Sequence, residues 1–180
     1  INGYFSQHMP AVSFIGISHL GLMNAYAASL NGKTSSGVVA VLNLEPTNTG
    51  LFVFNDSKLI FFRMFRTGMD FFTEEIARLM GISTATVSGI ICENAFDVSN
   101  QVSETLKAFA HQVNLCLDFV ERKEGIVIGD IKLAGCAETI SEFVGEFQHF
   151  FIPEVSMFDP FESLDILDGA FKNFDERWSS

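Results

Sequence analysis

The chain has 180 residues, a net charge of −11 and a hydrophobic fraction of 48%, with 20 phenylalanines. That length supports one substantial domain, or two small subdomains sharing a core. The acidic balance, with no cluster of Lys or Arg, excludes a nucleic-acid ligand and an electrostatic hold on anionic membrane, and no apolar run reaches the roughly 20 residues of a membrane helix.

Residues 1–10 read as irregular, and Ala11 to Ile17 as a short apolar strand. Ser18 caps a predicted helix to about Leu30, with Leu22, Ala25, Tyr26, Ser29 and Leu30 on one side and Asn31-Gly32 as its stop. Lys33 to Ser36 is a polar linker into the stretch around which the chain is organised, Gly37 to Gly68. Three apolar runs lie there, Val38 to Leu44, Leu51 to Phe54 and Leu59 to Phe65, rich in Val, Ile and Phe. The breaks between them, Glu45 to Gly50 and Asn55 to Ser57, have turn chemistry, so the stretch is a three-stranded antiparallel meander. Its first run is apolar on both faces, as in a central strand covered above and below.

A helix is predicted from Phe71 to Met80, with Phe72, Ile76, Leu79 and Met80 inward and Gly81 as its stop. Ser83 caps a second short helix that contains Gly89 and reaches Glu93; Asn94 to Asp97 is a loop. The strongest helical pattern runs from Val98 to Lys123. Val102, Leu106, Phe109, Val113, Leu117 and Val120 follow one another at spacings of 4, 3, 4, 4 and 3. His111 is off that stripe and is read as solvated. Ile126 to Ala134 reads as a strand, and Gly135-Cys136-Ala137 as a tight turn into a helix with Ile140, Phe143, Val144 and Phe147 inward. Phe151 to Met157 is the last strand, before an acidic, aromatic tail.

Mean hydropathy is +0.28, and with so many Phe rings the expected protein has a Phe-rich core plus an apolar surface that another part of the protein, or a partner, covers. The chain begins at Ile1 and is expected to be part of a longer protein. Cys92, Cys116 and Cys136 are odd in number and lack CxxC spacing, so they read as buried, reduced thiols in a cytoplasmic protein without disulfide or zinc. No basic residue flanks them to activate a thiol. No signal peptide is visible. Glu74, Glu75 and Arg78 read as a solvated helix face; Asp159, Glu162, Asp165 and Asp168 lack calcium-loop spacing; and no GxSxG elbow holds a nucleophile.

Four segments together resemble the second large domain of the actin-like ATPase fold, and most closely the PilM family of type IV pilus assembly proteins. They are VVAVLNLEPTNTGLFVF, FRMFRTGMDFFTEEIARLMGIS, IKLAGCAETISEF and IPEVSMFDPFESL, covering Gly37 to Leu164. The first sits where that family has its phosphate-binding hairpin, of the form VDIGxxxTxL, and the third resembles its adenosine-side turn. The resemblance implies an α/β actin-like (ribonuclease H-like) domain. Its sheet-and-helix subdomain is formed by residues 1–65 and 97–180, and a small subdomain, 66–96, is inserted. It places the nucleotide-site positions at Asn43, Glu45, Thr47, Asn48, Thr49, Gly68, Gly135 and Cys136, with no catalytic residue and no metal ligand assigned.

The departures from the family pattern carry equal weight. Asn43 stands where a carboxylate would direct a metal-bound water, and Asn is not the anionic ligand Mg²⁺ prefers. Glu45 sets a carboxylate where phosphate oxygens would come, and Pro46 removes a backbone N–H from the phosphate loop. Met69 and Cys136 each replace a family Gly. The expected protein is therefore a cytoplasmic scaffold or adaptor for type IV pilus or type II-like secretion assembly, at the inner face of the membrane through a partner. ATP and Mg²⁺ binding are weakened or lost and no other cofactor is implied. The partner implied is an inner-membrane pilus or secretion protein, engaged through its cytoplasmic tail, along with self-association. The alternatives are the nucleotide-binding half of a working actin-like ATPase, or an oligomerisation module unrelated to pili.

Overall fold

The computed structural model describes residues 18–30, 37–93, 96–140 and 142–159. The predicted strand at 11–17, the linker at 33–36 and the acidic tail from 160 lie outside them. The elements in order are α1 (Ser18–Ser29), β1 (Val38–Leu44), β2 (Thr49–Asn55), β3 (Lys58–Phe65), α2 (Met69–Met80), α3 (Thr84–Glu93), α4 (Ser99–Glu124), β4 (Ile128–Gly135), a 3-10 turn (Cys136–Thr139), α5 (Phe143–Gln148) and β5 (Glu154–Met157).

The strands form one mixed sheet in the order β3-β2-β1-β4-β5. β1, β2 and β3 are the predicted antiparallel meander, in which Val38 faces Asn55 and Thr49 faces Phe65. β4 and β5 join on the other side as parallel strands. β1 thus lies between an antiparallel and a parallel neighbour, and every one of its residues is buried, as a strand apolar on both faces requires.

Alternation along β1 divides the core. Val38, Ala40, Leu42 and Leu44 point into the larger cluster with α2, α4 and α5, whereas Val39 and Val41 pack with Phe52, Phe54, Phe158 and Tyr26 of α1. The stripe predicted for α4 is buried in full, and Thr105, Ala110 and Cys116 are buried beside it, while His111 is exposed. Much of the Phe surplus forms one chain of rings beneath the sheet: Phe65, Phe72 and Phe147 surround Phe109, and Phe143 and Phe151 extend the chain. Among the described residues no helix is long and apolar enough to cross a membrane.

Several boundaries depart from the sequence reading, each for a local reason. α2 starts two residues early, at Met69, because its first N–H groups find acceptors in the β1–β2 turn. Its Leu79 is 40% exposed and so is not part of the inward stripe. β4 begins at Ile128, whose N–H is taken by Glu121 Oε1 at 2.8 Å; the preceding turn leaves Gly125 in the left-handed region at φ 66° and Val127 exposed. β5 begins at Glu154 because the Gln148 amide holds the incoming chain, donating to Phe151 O and Pro153 O and accepting from Val155 N–H. The continuous helix expected after Gly135 is two pieces, since Ile140 adopts extended backbone after the 3-10 turn.

The thiols also differ from the expectation: Cys116 is buried but Cys136 is only half-buried, and the side chain of Cys92 lies outside the described residues. Cys116 Sγ accepts from Arg63 Nη1 at 3.3 Å, a cation brought by β3 rather than by the cysteine's own neighbours in sequence.

Candidate functional site

Parallel pairing sets the C-terminal end of β1 beside that of β4, with Leu44 opposite Gly135 and Asn43 opposite Ala134. Crevices at the carboxyl ends of such strands are where open α/β sheets place ligands. Here the crevice is closed on its other sides by the β1–β2 turn, the start of α2, α3 and the 3-10 turn.

The turn itself is tightly built. Glu45 N–H donates to Asn48 O at 2.9 Å across Pro46 and Thr47. The chain then returns eighteen residues later: Thr49 Oγ1 donates to Thr67 O at 2.7 Å, and Gly68 is buried against the turn. A Cβ at Gly68 would lie 2.4 Å from Asn48 N and Pro46 O and 2.5 Å from Glu45 O, so only glycine permits this approach. The approach lets Met69 N–H donate to Glu45 O at 3.0 Å and Asp70 N–H to Pro46 O at 2.9 Å. Two of the N–H groups that open α2 are thereby spent on the turn rather than pointed into the crevice.

Of the eight positions singled out in the sequence, Cys136 lines this crevice, and the other seven lie at the end of β1, in the β1–β2 turn, at the start of β2, just before α2 and at the end of β4. Asn43 is buried at the end of β1, its amide donating to Glu45 Oε1 at 3.3 Å. Thr49 is buried, whereas Thr47 and Asn48 form the outer rim of the turn, with Asn48 Nδ2 donating to Thr47 Oγ1. Gly135 has φ 75°, and a Cβ there would meet Leu44 O at 2.2 Å and Asn43 Oδ1 at 2.7 Å, so glycine is required on both counts. Cys136 lines the crevice from the floor of the 3-10 turn.

The crevice has a volume of about 430 Å³ and an acidic, hydroxyl-rich lining: Asp70 and Glu74 from α2, and Thr73, Thr84, Ser88 and Thr139. Among the described residues no Lys, Arg or His lines it. Burial, and then the carboxylates of Asp70 and Glu45, push the Cys136 thiol up, so it remains a thiol at neutral pH. The solvated-face reading fits Glu75 and Arg78, which pair at 2.7 Å. Glu74 is exposed as well, and it also borders the crevice. Asp70, Glu74 and the four hydroxyls could not be found from the sequence: the return of α2 to the β1–β2 turn brings Asp70, Thr73 and Glu74, α3 brings Thr84 and Ser88, and the 3-10 turn brings Thr139. Among the described residues no group of three or more His, Cys, Asp or Glu could hold a metal.

No protein-family model matches the sequence, and no curated protein matches it. Solved structures do match. A PilM-PilN type IV pilus biogenesis complex superposes with a TM-score of 0.70 at 14% identity, covering 84% of this chain and 44% of that one. Ta0583, an archaeal actin homologue, gives 0.55 at 12% identity over 78% and 48%. MreB5 of Spiroplasma citri bound to ADP gives 0.54 at 12% identity over 84% and 60%. The chain spans less than two thirds of each of these proteins. At such identities the likeness concerns the fold: a mixed α/β sheet with helices, as in actin-like ATPases.

Proposed function

We propose that this chain is the second half of an actin-like scaffold for a type IV pilus or type II-like secretion apparatus, and that it holds a partner rather than hydrolysing ATP. The observation that carries the reading is the character of the crevice. The crevice carries the carboxylates Asp70 and Glu74, with Glu45 close by, and on this reading they would oppose the phosphates of a nucleotide in the crevice. Near a protein surface each such charge opposes a phosphate charge by on the order of 2 kcal/mol at roughly 8 Å.

The donors that would offset this repulsion are reduced. Pro46 has no N–H, and the N–H groups of Glu45, Met69 and Asp70 donate to backbone carbonyls. A clamp of cations and aligned N–H groups is what such sites use to stabilise a transferring phosphoryl group, and these residues provide its opposite. The higher TM-score of the PilM-PilN complex, 0.70 against 0.54 for ADP-bound MreB5, supports the pilus reading over the ATPase one. The rival reading, half of a working ATPase, draws on the ADP-bound MreB5 neighbour.

The test is fluorescence anisotropy of the full-length protein with a labelled peptide copying the cytoplasmic tail of the inner-membrane pilus protein encoded beside it, with and without Mg-ATP. The expected result is binding whose affinity changes less than about twofold on adding nucleotide. An affinity that moves tenfold or more with Mg-ATP contradicts the scaffold reading, and absence of peptide binding removes its pilus part.

A further inference from the structure

We infer that the outer face of the second half of α4 is a self-complementary docking surface for a second copy of this chain. Leu115 and Phe119, one helical turn apart, are each 55% exposed on a helix whose opposite side is core. Phe119 is held in place, its ring 6.2 Å from that of Phe61 on β3. With Asp118, Arg122 and Lys123 the two line one open depression of about 450 Å³. An apolar centre rimmed by charges is the make-up of a binding surface.

The charges select the occupant. Lys123 pairs with Glu124 at 3.0 Å, whereas Asp118 and Arg122 form no ion pair among the described residues. The face therefore carries one unpaired charge of each sign and is locally neutral, on a chain whose net charge of −11 opposes self-association over its surface as a whole. Asp118 and Arg122 are four residues apart, about 6 Å along the helix axis. Let a second α4 pack antiparallel about a two-fold axis at Phe119. Phe119 then meets its own symmetry mate, and Leu115 meets the aliphatic stem of the partner's Lys123. Asp118 falls beside the partner's Arg122, and the pair occurs twice because the interface is isologous. A single unlike charge pair on an apolar face is what a two-fold partner satisfies without any change in the sequence.

The experiment is sedimentation equilibrium of the chain over the micromolar range, with Asp118→Arg, Arg122→Asp, the double variant and Phe119→Ser. All three positions substituted are exposed, and far-ultraviolet circular dichroism checks that the helices persist. The unmodified chain should be a dimer in equilibrium with monomer. Each charge reversal should weaken it about tenfold or more, since two attractive pairs become repulsive, and Phe119→Ser should weaken it similarly. The double reversal should return association to within about threefold of the original, and mixing the two single variants should give a heterodimer. A monomer throughout the range would overturn the proposal, whether or not another protein occupies the face. So would a dimer indifferent to all four variants.

Discussion

Phe109→Ala is expected to lower the unfolding free energy by about 3–5 kcal/mol, the cost of emptying a large aromatic from a close-packed core. Phe109 is 2% exposed, and its ring lies 5.4 Å from Phe65, 5.5 Å from Phe72 and 6.1 Å from Phe147. Those three rings come from β3, α2 and α5, so the truncation opens a cavity where four elements meet, and none of them can close it without leaving the others. Loss of edge-to-face ring contacts adds to the cost. Urea denaturation measures it, with Phe96→Ala as the comparison, because Phe96 is 67% exposed and should lose well under about 1 kcal/mol. Equal effects at the two positions would show that α4 does not seat on the sheet through Phe109.

Gly68→Ala should be nearly as damaging, although it adds only a methyl group. The backbone of Gly68 is extended, at φ −130° and ψ −171°, so its conformation is open to any residue. The obstacle is space. A methyl at 2.4 Å from two backbone atoms forces the turn at 45–48 away from the start of α2, and the bonds from Met69 and Asp70 to that turn are lost with it. Overpacking and two lost hydrogen bonds together amount to about 3 kcal/mol. Gly145→Ala is the control, since nothing lies within 4 Å of its Cβ position, and in the middle of α5 alanine should be neutral or mildly stabilising. A Gly68→Ala protein as stable as that control would mean that α2 is not tied to the β1–β2 turn.

The core elements were legible because their signals are local and repeated. Six apolar positions at helical spacing mark α4, and three β-rich runs with polar turns between them mark the meander. Ser83 reads as a cap, and its Oγ does accept from Thr86 N–H at 3.1 Å. Boundaries set by a single distant side chain were not legible: Glu121 fixes where β4 begins and Gln148 where β5 begins, and nothing in either strand's own sequence announces them. The site divides the same way. The turn after β1 and the glycine turn after β4 were legible from their turn residues, but the carboxylates of α2 enter the crevice only because Gly68 brings that helix against the turn.

The central claim is that this crevice no longer takes a nucleotide. Isothermal titration calorimetry of the full-length protein with Mg-ATP tests it most directly, with the double substitution Asn43→Asp and Glu45→Gly run alongside. These two changes put a carboxylate at the end of β1, where the family resemblance implies one, and remove the negative charge of Glu45 from the turn. The account predicts no heat beyond dilution from the unmodified protein up to millimolar nucleotide, and no tighter binding by it than by the variant. Saturable micromolar binding by the unmodified protein would contradict it.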